Sequence, residues 1–290
     1  MSISPEMKIS ALAPWFGGKR TLAPVIVQEL GKHRAYWEPF CGSMAVLLAK
    51  EPASMETVND LHGDLINVAR VVQDRTLGPM LYRRLRRAVN SQVEFAEARA
   101  EVLSPPDYSN EGDCLARAYS YFVCSWQGMN GVAGTASSNM GFARRFTNNG
   151  GHAAKRFAGA VDSIPAWRRR LRCVSILSAD GIELCEKIED AAGTVIYADP
   201  PYLVKGCKYK HDFDWLAHRR LAKALTRFQK TRVVVSYYQH PDLASMYPGW
   251  TVRDCTMTKS LVSQGRRDKE NNTVSPEILL INGESYGGVA

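Results

Sequence analysis

Between Cys114 and Val161 the sequence contains no aspartate and no glutamate. The same interval carries Arg117, Arg144, Arg145, Lys155 and Arg156. A long segment without carboxylates suits a surface that lies against phosphates. Other absences narrow the class further. The seven cysteines are scattered, with no C-x-x-C pair, which argues for reduced thiols and against a zinc site or a disulfide framework. The six histidines show no metal-ligand spacing, so no metal is expected. No apolar run is long enough to span a membrane. The start, MSISPEMKIS, lacks the basic and apolar regions of a signal peptide, so a cytoplasmic protein is expected. There are no internal repeats and no low-complexity tail.

What is present reads as globular. Apolar residues make up 45% and charged residues 23% of the 290 positions. The formal net charge is +8, which by itself is equally compatible with a merely basic protein. Seven short runs read as strands: AYWEPF (35–40), METVN (55–59), RCVSIL (172–177), TVIYA (194–198), RVVVSYY (232–238), WTVRDC (250–255) and EILLIN (277–282). Helical patterns alternate with them: VIVQEL after Pro24, MAVLLAK with Ser43 as its prospective cap, LINVARVV and LCEKIED. In WLAHRRLAKALTRF, Leu216, Leu221, Leu225 and Phe228 fall near one face. This alternation predicts an α/β fold with a doubly wound parallel sheet. The last two strands lack a helix between them and should pair as a hairpin that adds an antiparallel edge.

About a hundred residues interrupt the rhythm. The interval 76–171 is too long for a crossover and predicts an inserted, mainly helical subdomain, leaving 1–75 and 172–290 as the main domain. Its end is glycine- and asparagine-rich: QGMNGVAGTASSNMGFARRFTNNGG.

Four segments could carry chemistry. In doubly wound sheets, ligands sit at the carboxyl ends of the strands. In EPFCGSM (38–44), Phe40, Cys41 and Gly42 follow the first strand, and Gly42 would let a ligand approach the backbone; such a turn is structural more often than not. VNDLHGDLIN (58–67) puts Asp60 at the end of the second strand, placed to accept from ribose hydroxyls or to cap a helix, with Asp64 the better candidate for capping or exposure. YADPPYLVKG (197–206) runs from a buried strand into two prolines, which cannot donate to a sheet and restrict their neighbours. Asp199 and the Pro200 carbonyl are acceptors for the two hydrogens of an exocyclic amine, with Tyr202 able to stack on its ring. APWFGGKR (13–20) joins an aromatic pair to a lysine through two glycines; alone it reads as an ordinary turn.

Together and in this order, these segments resemble the Dam-type DNA adenine methyltransferases (D12 class, alpha group). PWFGGK is similar to the family's W-x-G-G-K, EPFCGSMAV to its E-P-F-x-G-x-G-x-V turn, and VNDLHGDLIN to its N-D-x-N-x-D-L-I-N segment. Tyr209, His211, Phe213 and His218 beyond D-P-P-Y are also family-like, as is the closing EILLIN. Met44 stands where the family has its second glycine, and His62 where asparagine is common.

The resemblance implies a seven-stranded, S-adenosylmethionine-dependent methyltransferase fold. It further implies methyl transfer to the N6 amine of an adenine flipped out of double-stranded DNA. The expected catalytic set is Asp199, Pro200, Pro201 and Tyr202. The expected cofactor set is Trp15, Phe16, Gly17, Gly18, Lys19, Glu38, Phe40, Cys41, Gly42, Ser43, Asp60, Leu61, Asp180, Gly181 and Asp199. Asp180 could equally cap the next helix. DNA contacts are expected from Lys19, Arg117, Asn130, Arg144, Arg145, Asn148, Lys155, Arg156, Lys205, Lys208 and Tyr209. Arg144 and Arg145 are placed to read guanine, and most others to grip phosphate. RRLRR (83–87) and RRRLR (168–172) read first as solvated helix faces. The competing readings are N4-cytosine, RNA or protein-glutamine methylation, and a catalytically silent DNA-binding regulator. A palindromic target would suit a homodimer or two successive monomer events.

Overall fold

The computed structural model describes residues 6–15, 17–129, 141–143, 152–203, 213–258 and 274–287. Of the expected site residues, Phe16, Asn130, Arg144, Arg145, Asn148, Lys205, Lys208 and Tyr209 lie outside them, as does His211.

The chain alternates helix and strand. α1 (Ala23–Leu30) precedes β1 (Ala35–Glu38), α2 (Ala45–Ala49), β2 (Met55–Asn59) and α3 (Gly63–Gln73). The long interval then folds as α4 (Leu77–Arg87), α5 (Gln92–Leu103), α6 (Glu111–Gln127) and α7 (Ala153–Leu171). The chain returns through β3 (Val174–Leu177), α8 (Gly181–Lys187), β4 (Thr194–Ala198), α9 (Trp215–Thr226), β5 (Arg232–Tyr238) and α10 (Leu243–Met246). It closes with β6 (Thr251–Asp254), the short β7 (Met257–Thr258) and β8 (Val274–Ser275), and β9 (Glu277–Ile281).

Seven strands make one sheet in the order β3-β2-β1-β4-β5-β9-β6. The first five are parallel, and β9 runs antiparallel to both β5 and β6. A seven-stranded sheet with a parallel body and an antiparallel edge is what the sequence led one to expect. The expected final hairpin is present, with β7 and β8 forming a separate two-stranded ladder inside it. The central strands TVIYA and EILLI are buried along their whole length, which is why they read as continuous apolar runs. The chain goes outward from β1 through β2 to β3 and comes back to β4 on the other side of β1. The strand order therefore reverses between β1 and β4.

Helices cover both faces of the sheet. One cluster of buried side chains joins the sheet to α1, α2, α3, α6 and α7; the other joins it to α8 and α9. The long interval thus shares its core with the sheet. Phe122, Phe157 and Trp167 pack within it at ring separations of 5.9 and 6.3 Å from Phe122. Trp126 and Trp167 donate their indole N–H to the carbonyls of Leu12 and Ile9, which fastens the N-terminal segment to these helices.

Several expectations are corrected. Ser43 does not cap α2; Met44 holds that position in a left-handed conformation (φ 58°, ψ 30°) without a side-chain cap. Leu216 is 73% exposed, while Leu221, Leu225 and Phe228 are buried: the first turn of α9 projects past the core. Arg170 is not on a solvated face: it pairs with Glu56 at 2.5 Å and donates to the Leu47 carbonyl. Arg83, Arg84, Arg86 and Arg87 do lie on the solvent side of α4, with Leu81 and Leu85 inward.

Arg117 is the largest departure. It was expected on DNA but is 2% exposed. Its guanidinium forms two bonds to Asp64, at 2.6 and 3.1 Å, and also donates to the carbonyls of Glu101, Val102 and Ser104. Asp64 is correspondingly buried and neither exposed nor a cap. Burial opposes its ionisation, but the Arg117 guanidinium and the Tyr108 hydroxyl outweigh it and hold its carboxyl below the usual range. Removing either partner leaves a buried charge without compensation. Arg117→Met and Asp64→Asn should each lower stability by about 3–5 kcal/mol in urea unfolding. The contribution is complete above the unfolded carboxyl value, about 3.9. It is lost as pH falls through the lower folded value, so the deficit of both variants should shrink in acid.

Candidate active site

The carboxyl ends of β1 and β4 lie side by side where the strand order reverses, and the loops that follow them build a cleft. It is lined by Trp15, Gly18 and Lys19, by Glu38, Cys41, Gly42 and Ser43, and by Tyr197 and Asp199. Residues from three distant parts of the sequence are thereby brought together.

The β1 turn is held from β2. Cys41 N–H donates to the Asn59 carbonyl, and Gly42 N–H donates to Asp60 Oδ2 at 2.8 Å. The other Asp60 oxygen accepts from His62 N–H at 2.9 Å. His62 caps α3, its ring Nδ1 accepting from Leu65 N–H at 3.3 Å. Asn59 spans three strand ends: its amide donates to the carbonyls of Pro39 and Ala179 and accepts from Ala179 N–H. Sequence reading passed over Asn59, although a buried asparagine at a strand end must find such partners.

Gly42 has φ +43°, and a Cβ there would lie 2.8 Å from the Trp15 indole nitrogen. The indole thus closes directly over the glycine. On the β3 side, Asp180 caps α8, accepting from Ile182 and Glu183 N–H. A Cβ on Gly181 would meet the Phe40 ring at 2.6 Å, so this glycine makes room for Phe40. Leu61 is 44% exposed.

Beside the cleft, Lys19, Asp199, Tyr202 and Glu277 form one polar cluster, of which Lys19 and Asp199 also line the cleft. Lys19 Nζ lies 2.9 Å from Asp199 Oδ2 and 3.0 Å from Glu277 Oε1, and donates to the Gly17 carbonyl at 2.7 Å. The Tyr202 hydroxyl donates to Glu277 Oε1 at 2.5 Å and lies 3.3 Å from Asp199 Oδ1. The Tyr202 ring packs against Tyr238 at 4.4 Å. Burial pushes the Asp199 carboxyl up to about 6, with Lys19 opposing the shift and Glu277 adding to it. Burial alone would lower the Lys19 ammonium, but the two carboxylates hold it above the usual lysine value. Glu38 is buried beside them; burial pushes its carboxyl up to about 8 although Tyr36 donates to it at 2.9 Å. Glu277 was missed in the sequence, where the signal was an acid at the head of an otherwise apolar strand.

The described DNA-contact candidates do not converge here, apart from Lys19. Lys155 is exposed in the first turn of α7 and Arg156 half-buried beside it, while Arg117 is internal. The segments 127–129 and 141–143 meet through backbone bonds. Among the described residues no helix is long and apolar enough to cross a membrane, and no group of three or more His, Cys, Asp or Glu could hold a metal ion.

A family model for D12 class N6 adenine-specific DNA methyltransferases matches residues 15–274, from the Trp15 turn to the start of β8. The chain belongs to that family. It is therefore assigned as a methyltransferase that acts on adenine in DNA.

The Gly42 turn provides a direct check on this geometry. In Gly42→Ala, a left-handed non-glycine backbone alone should cost about 1–2 kcal/mol, and the displaced indole should add to it. Urea unfolding reads the loss; an unchanged midpoint would mean that the turn is not held as described.

Proposed function

We propose that this chain transfers the methyl group of S-adenosylmethionine to the N6 amine of an adenine flipped out of duplex DNA. The observation that supports it most is the junction of the cleft with the Asp199 cluster at the reversal of strand order. The chemistry of the cleft residues suits the cofactor. Glu38 offers a buried carboxyl that a nearby cationic ammonium would ionise. Gly42 offers approach to the backbone, and Trp15 an aromatic cover. Asp60 would receive the ribose hydroxyls, and Phe40, Asp180 and Gly181 would border the adenine end. Gly17, Gly18, Cys41, Ser43 and Leu61 would complete the walls. When bound, the cofactor supplies an electrophilic methyl group on sulfur.

The chain's own residues prepare the amine. Asp199 and the Pro200 carbonyl accept its two hydrogens, which favours a pyramidal nitrogen with an available lone pair. Pro201 keeps this corner rigid. Tyr202 bounds the base. Holding the amine in line contributes on the order of several kcal/mol. Asp199 then takes up the proton that the amine sheds. Lys19 keeps the acid ionised in a site where burial disfavours its charge.

Residues 76–171 would serve target recognition, with the acid-free stretch against the phosphates. Lys155 and Arg156 belong to that surface in this reading, as do Asn130, Arg144, Arg145 and Asn148. Lys205, Lys208 and Tyr209 would meet DNA from beyond Tyr202. A palindromic site is served equally by a homodimer or by two visits of one chain.

The test is nucleoside mass spectrometry after incubation with S-adenosylmethionine and unmethylated duplex DNA of mixed sequence. N6-methyladenine is expected from the parent protein. Asp199→Asn should lose about a hundredfold or more. N4-methylcytosine instead would overturn the substrate, and no product despite cofactor binding would favour a silent regulator. Because Asp199 must be ionised to accept the amine, the transfer rate should rise through an acid limb near pH 6. A rate flat from pH 5 to 8 would remove Asp199 from this role.

A further inference from the structure

Glu277 enters the active site from β9, beyond β5 and on the antiparallel side of the sheet, and the reading above gives it no task. Its Oε1 takes two donors, the Tyr202 hydroxyl at 2.5 Å and Lys19 Nζ at 3.0 Å. A hydroxyl has one hydrogen to give. The short bond commits that hydrogen to Glu277, and the 3.3 Å approach to Asp199 Oδ1 leaves that oxygen with acceptor capacity. Lys19 is divided in the same way. Its three hydrogens face three acceptors: Gly17 O, Asp199 Oδ2 and Glu277 Oε1. Without Glu277, the hydroxyl and one ammonium hydrogen would both turn to Asp199, and Oδ1, already 3.3 Å from the hydroxyl, would be engaged from within.

Resting on the reading that Asp199 receives the target amine, we propose that Glu277 is a positioning residue of this site. It draws off the Tyr202 hydroxyl and shares the Lys19 ammonium, so that Asp199 Oδ1 stays open to the adenine amine. Asp199 is faced by Lys19 from the N-terminal turn, by Tyr202 from its own loop and by Glu277 from β9. Glu38 on β1, Tyr197 on β4 and Tyr237 on β5 lie near enough for the Asp199 charge to raise their own titrations, and they stay uncharged where it ionises. Glu277 has the same sign as Asp199 and disfavours its ionisation, so removing the charge should move the Asp199 titration to lower pH.

The test compares E277Q with the parent in single-turnover methylation of unmethylated duplex DNA from pH 5 to 9. Calorimetry with S-adenosylmethionine and thermal unfolding serve as controls. E277Q should bind the cofactor as the parent does, transfer the methyl group about ten- to a hundredfold more slowly, and show its acid limb at lower pH. E277D keeps a carboxylate with shorter reach. It should show a smaller displacement in the same direction, and it decides the matter if E277Q does not fold. A folded variant with the parental rate and limb overturns the proposal. So does a slow variant whose limb does not move, since that is what a purely structural residue would give. A carboxyl carbon-13 titration of Asp199 in the DNA-free protein reads the same displacement without turnover. A parent protein that methylates nothing would therefore overturn the catalytic reading, while the coupling would stand or fall on its own titration.

Discussion

The reversal of strand order between β1 and β4 is the constraint on which the rest of the site depends. Parallel neighbours whose crossovers leave in opposite directions must part at their carboxyl ends, and that gap is where loops can meet a ligand. Here the two strands at the gap are followed by PFCGS and DPPY, so the glycine turn and the carboxylate corner are brought face to face by topology alone. Asn59 fixes the spacing of the neighbouring ends, bonding to the chain after β1 and after β3 at once. Asp60 then pulls the Gly42 amide toward β2. The cleft is shaped from below by side chains at strand ends, and it is closed from above by Trp15.

A second theme is where the charge goes. The sequence carries a surplus of cations, yet several of its arginines and lysines are internal. Arg117 holds Asp64, and Arg170 and Lys50 together hold Glu56. Arg232 and Arg253 converge on Glu29, which is fully buried and also receives the Ser285 hydroxyl and the Tyr286 amide. These clusters tie segments distant in sequence: helix α6 to α3, helix α7 to β2, and the residues after β9 to α1. Breaking such a pair costs far more than an exposed one, because the surviving charge stays buried. The cations left for a polyanionic partner are consequently fewer than the 37 lysines and arginines suggest.

This explains which parts could be read from sequence. Strand positions were legible because the strands are short runs rich in Val, Ile, Thr and Tyr; METVN, TVIYA and RVVVSYY fold over the spans they suggest. The segments of the cleft were legible because tight turns and rigid corners need particular residues at fixed offsets. Partnerships were not legible. Arg117 lies in a stretch without acids, and its partner is Asp64, far away in sequence and adjacent only once α6 packs on α3. Glu277 is likewise remote from Lys19, and only the antiparallel pairing of β9 with β5 brings them together.

Met44 shows how a departure from the family pattern is absorbed. The position follows Gly42 by two and opens α2 with φ +58°, the region where the family's glycine costs little. A methionine there carries a backbone cost of about 1–2 kcal/mol. The conformation is nonetheless fixed on both sides: Met44 N–H donates to the Cys41 carbonyl, and the Met44 carbonyl accepts from Leu48 to start the helix. Its side chain is wholly buried in the core beneath the cleft. Burying a methionine side chain contributes about 1.5–3 kcal/mol, enough to offset the strain. The substitution thus exchanges backbone freedom for packing, and it leaves the turn that faces the cleft, Gly42 included, in the shape that Asp60 and Trp15 require.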